Sequence, residues 1–249
     1  MATYNGARFL HEQIASILCQ LAAEDELIIS DDASSDDTPV LVRSFDDPRI
    51  RFFTHPRLGV ARNFECALGH ARGDIVFLSD QDDVWMPDKI ARMCAFMERG
   101  GYQCIMCNCQ LVDAGLGLVK SPHFDASWPM QRSFWHNLYN NAWLGCCMAF
   151  RRQVLEQTLP FPRGLAAHDL WIALYAQWHF RCGYMQDDVL VSYRRHESTV
   201  SFTGSKSNNP LWFRIYYRVH IFCHLLWRSL LRTLHPAHSR KADTIEESL

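Results

Sequence analysis

Residues 75–87 constrain this chain more than any other stretch. Ile75–Leu78 is an apolar run that predicts a short buried strand. Three carboxylates follow at once, Asp80, Asp82 and Asp83, and Pro87 and Asp88 then open a helical pattern. A strand that runs into acids and then into a helix belongs in an open α/β sheet, where ligands sit at the carboxyl ends of strands. Like charges this close repel one another unless a cation or ligand donor compensates them. Mg²⁺ and Mn²⁺ favour oxygen ligands, and Mg²⁺ often takes one or two carboxylates together with substrate phosphates. A solvated acidic turn is the competing reading of the same residues.

The pattern recurs upstream. Leu10, Ile14, Ile17, Leu18 and Leu21 form a helical stripe, and Leu27–Ile29 predicts a strand. That strand ends in Ser30-Asp31-Asp32-Ala33-Ser34, again acids and small polar residues before a helix. Ile50–Phe53 predicts a third strand, and Gly59–His70 a helix with Gly73-Asp74 as its exit. Alternating strands and helices imply a mostly parallel sheet with crossover helices. The two acidic strand ends then face one crevice, one suited to a nucleoside and the other to a metal-bound pyrophosphate. Asp31, Asp36 and Asp37 have a simpler use as turn and cap residues.

Composition removes some classes of function. The 249 residues carry a net charge of −2, so no basic field argues for nucleic acid. No run of eighteen uncharged apolar residues occurs, and a signal peptide is not evident, so a reduced, cytoplasmic setting is expected for the 10 cysteines. Gln103–Cys109 reads as a strand, which puts Cys104 and Cys107 on opposite faces. Buried thiols are expected there, with structural zinc as the alternative.

Three segments in register are similar to the inverting glycosyltransferases of family 2: Thr3-Tyr4-Asn5-Gly6, Ser30-Asp31-Asp32-Ala33-Ser34 and Ser79-Asp80-Gln81-Asp82-Asp83-Val84-Trp85. The rhamnosyltransferase-like branch of bacterial surface-polysaccharide synthesis looks nearest. The resemblance spans about residues 1–203 and implies a GT-A fold, a nucleotide-diphosphate sugar donor, a glycan or lipid-linked acceptor, and Mg²⁺ or Mn²⁺ as cofactor. It implies that Thr3, Tyr4, Asn5 and Asp32 hold the nucleoside. Asp82 is expected to ligate the metal. Asp80 is expected at ribose or metal, and Asp83 in a supporting bond.

Further matches lie downstream. Gly145-Cys146 resembles a turn beside the acceptor pocket, although a turn leading into a core strand accounts for it equally. His168-Asp169 matches the helix start that supplies the family's base. Asp169 is therefore expected to take the acceptor's proton, and His168 to line the acceptor site. As a carboxylate in a first helical turn, Asp169 also suits a plain capping role. Tyr193-Arg194-Arg195-His196, after a strand at Val189–Val191, resembles the family's Tyr-Arg-x-His segment. Arg194 and His196 are expected at the pyrophosphate, with His196 also a metal ligand; a solvated loop is the plainer reading.

Residues 1–203 are thus expected to form the catalytic domain, with a nucleotide-binding half (1–110) and an acceptor and catalytic half (111–203). Residues 112–137 read as a long irregular connection. Residues 204–249 hold an amphipathic helix and a polar tail. In that helix Arg214, Arg218, Arg228 and Arg232 lie along one side, and Trp212, Ile215, Val219, Phe222, Leu226 and Leu230 form an apolar face. Such a helix suits a membrane interface or a packed position on the catalytic domain. The family carries an apolar first strand before Thr-Tyr-Asn, whereas only Met1 and Ala2 precede Thr3 here. A truncated central strand is expected, with neighbouring strands left short of backbone partners. An upstream start encoding about five or six apolar residues would supply it. Two rival readings fit parts of the pattern: a metal-dependent nucleotidyltransferase, and a non-catalytic sugar-nucleotide-binding or scaffold protein.

Overall fold

The structure, a computed structural model, describes residues 1–196 and 210–234. Short strands and crossover helices build the first part. β1 (Ala2–Thr3) leads through α1 (Ala7–Leu18) to β2 (Leu27–Asp31), and α2 (Thr38–Ser44) leads on to β3 (Ile50–Thr54). The three strands pair in parallel in the order β1-β2-β3, with Ala2 opposite Ser30 and Leu27 opposite Ile50. Phe9, Leu10, Ile14 and Ile17 recur at helical spacing on α1 and are all buried. Leu10, Ile14 and Ile17 share a core with Leu27, Ile29, Val42 and Trp85.

A helix α3 (Val60–Gly69) connects to β4 (Ile75–Phe77), which belongs to a second sheet. After β5 (Val84–Trp85) and α4 (Lys89–Gly100) come β6 (Cys104–Val112), β7 (Leu118–Lys120) and α5 (Phe134–Tyr139). A 3-10 turn at Gly145–Cys147 enters β8 (Met148–Arg151), followed by α6 (Arg152–Thr158), α7 (His168–His179) and β9 (Cys182–Arg194). The strand order is β4-β8-β6-β9-β5, with β7 beside β6.

The expectation of a mostly parallel sheet needs correction. It holds for β1–β3, but β6–β9 is the parallel pair of the second sheet. Its β4–β8, β6–β8, β6–β7 and β5–β9 pairs are antiparallel. Apolar runs report burial, not strand direction, and a mixed sheet satisfies the same pattern. Two other boundaries differ. β9 begins at Cys182, because the polar Gln186-Asp187-Asp188 break in its apolar pattern is absorbed by register shifts against β6 at Asn108. Asp88 precedes α4 in a left-handed conformation (φ 62°), so Pro87 stays outside the helix. Cys104 and Cys107 approach different thiols, Cys182 and Cys147, as opposite strand faces require.

β1 is two residues long and pairs with β2 alone among the described strands. The Met1 amine is buried and donates to the Ile28 carbonyl at 2.7 Å. Burial lowers it to about 5, against an upward pull from Asp80.

The chain divides into two compact units, residues 1–205 and 206–249. In the second, α8 (Leu211–Leu234) leaves Trp212, Ile215, Tyr216, Val219, Leu226, Trp227 and Leu230 exposed. Among the described residues no helix is long and apolar enough to cross a membrane. The tail expected after His235 lies outside the described residues, as does Glu197–Ser201.

Candidate active site

The turn after β2 is held by its own acids. Asp31 accepts from the Thr3 hydroxyl at 2.8 Å and from the Ser34 N–H at 2.9 Å. Asp32 accepts the Leu58 N–H at 2.6 Å on one oxygen and the Gly59 N–H at 2.9 Å on the other. Asn5 donates its N–H to Ser34 Oγ and accepts the Ser35 N–H, both at 2.8 Å. Asp36 accepts the Thr38 and Ala7 N–H groups at 3.0 and 3.1 Å. Arg57 lies 3.9 Å above the Tyr4 ring and donates to its hydroxyl at 2.5 Å. Thr3, Tyr4, Asn5 and Asp32 therefore sit together, with both Asp32 oxygens engaged by the 58–59 backbone.

Two amides join this turn to the acids after β4. Gln81 accepts the Tyr4 N–H at 2.8 Å and donates to the Tyr4 carbonyl at 3.0 Å. Gln13 donates to Ser79 Oγ at 2.7 Å and to the Asp80 carbonyl at 3.1 Å. Gly6 makes the first clasp possible, since a Cβ there would lie 2.3 Å from Gln81 Oε1. Neither glutamine stood out in the sequence, because a clasp between residues 77 apart has no local signature.

The acids after β4 lack such satisfaction. Asp83 is buried; one oxygen accepts the Arg194 N–H at 3.0 Å, and Oδ2 has no hydrogen-bond partner. Burial first, then the charge of Asp82, push Asp83 up to about 7, opposed by the Arg194 N–H, the Cys146 thiol and Lys89. Asp80 is raised too, by desolvation and then by Asp83, Asp82 and Asp169. Asp82 pairs with His196 Nε2 at 2.9 Å. Donor atoms of Asp80, Asp83 and Cys146 all lie within 4.8 Å of one another. Asp80 thus lies close to Asp83, while Asp82 pairs with His196.

Buried cations organise this cluster. Lys89, fully buried, donates to the Cys146 carbonyl at 2.8 Å and sits 3.9 Å over the Trp85 ring. Arg194 was expected at a pyrophosphate. It instead ends β9, buried, and donates to the Asp82 carbonyl at 2.8 Å, the Ala114 carbonyl at 2.7 Å and the Glu12 carboxylate. Its guanidinium holds the acidic loop from below. The sequence hid this because β9 extends through Tyr193 and Arg194 into the interior.

Across the cleft, His168 and Asp169 begin α7. Asp169 is half-buried, and its Oδ1 accepts the Leu170 N–H at 2.7 Å. Gly145 lies against both residues: a Cβ added there would be 3.4 Å from Asp169 Cβ and 3.5 Å from His168 Nε2. His168 stacks on Phe64 at 3.7 Å, and its buried Nε2 has no hydrogen-bond partner. Burial lowers it to about 4. The site therefore brings an unprotonated imidazole and a carboxylate to one side, and a crowded acidic loop to the other.

The structure is thus an α/β fold with acids after β2 and β4 and a further carboxylate, Asp169, in the first turn of α7. The family model described as Glycosyl transferase family 2 matches residues 1–159, and the chain belongs to that family. It is 25% identical over 219 residues to the Escherichia coli UDP-Glc:alpha-D-GlcNAc-diphosphoundecaprenol beta-1,3-glucosyltransferase WfgD, covering 85% of this chain and 82% of WfgD. Among solved structures it resembles Staphylococcus aureus TarS 1–349 in complex with UDP-GlcNAc. The TM-score there is 0.66 at 19% identity, with 97% of this chain and 75% of that one covered. It also resembles the mannosyltransferase PcManGT of Pyrobaculum calidifontis in complex with GDP-Man and Mn²⁺. That TM-score is 0.58 at 22% identity, covering 95% and 74%. These likenesses establish the GT-A fold, and family membership makes the chain a glycosyltransferase using nucleotide-sugar donors.

Proposed function

We propose that this chain transfers a hexose, with rhamnose among the candidates, from a nucleotide-diphosphate sugar to a hydroxyl of a glycan or lipid-linked acceptor, with inversion. The supporting observation is that Asp169 faces the acidic loop closely enough for its charge to act on Asp80. In this reading Thr3, Tyr4, Asn5 and Asp32 frame the nucleoside. Asp169 takes the acceptor proton as the hydroxyl attacks the sugar carbon. Its Oδ1 is steadied by Leu170, and Gly145, Cys146 and His168 shape the acceptor side.

The acidic loop suits a hard divalent cation. Asp80, Asp82 and Asp83 crowd negative charge there, and the orphan Asp83 oxygen awaits a partner. Asp80, Asp82 and His196 are the proposed holders of Mg²⁺ or Mn²⁺, with Asp83 beside them. When bound, such a cation stabilises charge on the departing diphosphate. Arg194 acts from beneath, fixing Asp82 by its carbonyl. The lipid-linked acceptor is supported by WfgD, whose name gives a diphosphoundecaprenol acceptor. The proposed setting is the cytoplasmic side of a bacterial inner membrane, touched by the exposed apolar stripe of α8.

Product analysis tests this reading. With a panel of nucleotide sugars and lipid-diphosphate acceptors, the expected products are a nucleoside diphosphate and a glycoside of inverted configuration. Release of pyrophosphate would mark a nucleotidyltransferase instead. Vesicle flotation tests the membrane contact: deleting residues 211–249 should release the protein while leaving residues 1–205 folded.

A further inference from the structure

Cys146 brings a sulfur to the acidic loop, a donor that the roles given above to Asp80, Asp82 and His196 do not use. One donor atom each from Asp80, Asp83 and Cys146 lies within 4.8 Å of the other two. Asp83 and Cys146 are fully buried, and Asp80 is half-buried. What distinguishes the group from an ordinary acidic turn is Asp83 Oδ2, which is buried and has no hydrogen-bond partner. A buried carboxylate oxygen in that state is costly unless a positive charge meets it.

Backbone contacts hold the three groups in place. The Cys147 N–H closes the Gly145–Cys147 turn on the Leu144 carbonyl at 3.0 Å, and Lys89 grips the Cys146 carbonyl at 2.8 Å. The Arg194 N–H fixes the other Asp83 oxygen at 3.0 Å. Gln13 and the Ser79 hydroxyl both donate to the Asp80 carbonyl at 3.1 Å. Donors carried on fixed backbone keep their spacing before any ligand arrives. Asp82 stays apart from this group, because its carboxylate is paired with His196. The neighbouring cations are directed elsewhere. The Lys89 ammonium faces the Cys146 carbonyl and the Trp85 ring, and the Arg194 guanidinium faces the Asp82 and Ala114 carbonyls and Glu12.

The donor chemistry selects the cation. Mg²⁺ favours oxygen ligands in a near-octahedral set, whereas a softer cation such as Zn²⁺ takes thiolate together with carboxylate. We propose that Asp80, Asp83 and Cys146 form a site for a thiophilic divalent cation, Zn²⁺ or Cd²⁺, distinct from the Mg²⁺ or Mn²⁺ site at Asp82 and competing with it. On binding, a sulfur–metal bond forms and the Cys146 thiol proton passes to solvent. Asp80 serves both sites, so zinc opposes metal-dependent nucleotide binding. The competition rests on the role proposed above for Asp80; the thiolate site itself does not.

Cadmium reports the site directly, because a cadmium–thiolate bond gives an ultraviolet charge-transfer band that oxygen ligands do not. The titration uses the 249-residue chain with its exposed thiols replaced, Cys19→Ser and Cys223→Ser. One equivalent of Cd²⁺ should saturate the band, and excess Mg²⁺ should not displace it. Cys146→Ser should abolish it, and Asp83→Asn should weaken Cd²⁺ binding by about tenfold or more. Asp82→Ala should keep it. X-ray absorption of the same parent chain loaded with Zn²⁺ should show a single sulfur among oxygen donors, a result that needs no further variant to fold. In calorimetry, Zn²⁺ should lower the Mn²⁺-dependent affinity for a nucleoside diphosphate, and Cys146→Ser should remove that effect. The site is overturned if Cd²⁺ gives no band, if a folded Cys146→Ser protein keeps it, or if zinc shows no sulfur neighbour. It is also overturned if Asp82→Ala abolishes the band, which would place a single cation at Asp82. Unaltered Mn²⁺ dependence with Zn²⁺ bound would overturn the competition. A parent chain that shows the band but no Mn²⁺-dependent nucleotide affinity would refute the Asp82 site and support this one.

Discussion

The two acidic strand ends look alike in sequence and behave oppositely in the fold. After β2, Asp31 and Asp32 are met by N–H groups and hydroxyls at every oxygen, from Thr3, Ser34, Leu58 and Gly59. After β4, Asp80 and Asp83 crowd Asp82, and the Asp83 Oδ2 has no partner. A carboxylate that accepts backbone N–H groups stabilises its turn, whereas a buried one without donors carries a desolvation cost of about 1–3 kcal/mol or more. The first end is built to hold shape. The second is built with charge left over, and that surplus is what a cation or a reacting group can use.

Breaking the facing pair has the largest expected effect. Asp169→Asn keeps size but cannot accept a proton at neutral pH. Transfer should fall by about 10²–10⁴-fold while nucleotide binding, followed by calorimetry, is retained. Near-normal turnover would move the base elsewhere. At the strained end, Asp82→Ala should remove the Mn²⁺-dependent part of uridine or guanosine diphosphate affinity and leave the melting temperature nearly unchanged. Equal metal dependence in the variant would take Asp82 out of the site.

At the satisfied end the order of effects reverses. Asp32→Ala strands the Leu58 and Gly59 N–H groups, and a stability loss of about 2 kcal/mol is expected in urea titrations. A change as small as that of Asp82→Ala would erase the distinction between the two ends. Gly6→Ala pushes Gln81 away and should cost about 1–2 kcal/mol, the range for a forced side-chain and backbone shift. Gln81→Ala in the same background should recover part of it, because the clash is with that side chain.

A smaller, pH-dependent effect comes from His168. Its folded pKa lies near 4, below the usual 6.5, so the unfolded chain binds more protons between those values. Stability from this group is therefore present above about pH 6.5 and is lost as pH falls towards 4. His168→Gln should flatten the fall in melting temperature across that window. An unchanged slope would mean that other groups, such as His123, which burial also lowers to about 4, dominate it.

Much of the fold was legible because its parts are local. Apolar runs, helical stripes and acids at strand ends depend on neighbours in sequence, so β2, β3, β4, α1, α3 and the start of α7 could be read directly. Asp32, Asp80 and Asp82 lie just past the ends of β2 and β4, and Asp169 lies in the first turn of α7. Arg194 was read as a loop residue because the apolar pattern ends at Val191, whereas β9 continues through Ser192, Tyr193 and Arg194.

The residues determine by themselves which segments become strands and helices and where charge is concentrated, since periodicity and turn chemistry act over a few positions. They do not determine strand direction, the engagement of Asp32 by the 58–59 backbone, the Gln81 clasp, or the buried Lys89 and Arg194. Each of these depends on groups that approach only after the sheets assemble. The energies involved are those of desolvation and hydrogen bonding, which are set by the final surroundings of a group and not by its neighbours in the chain.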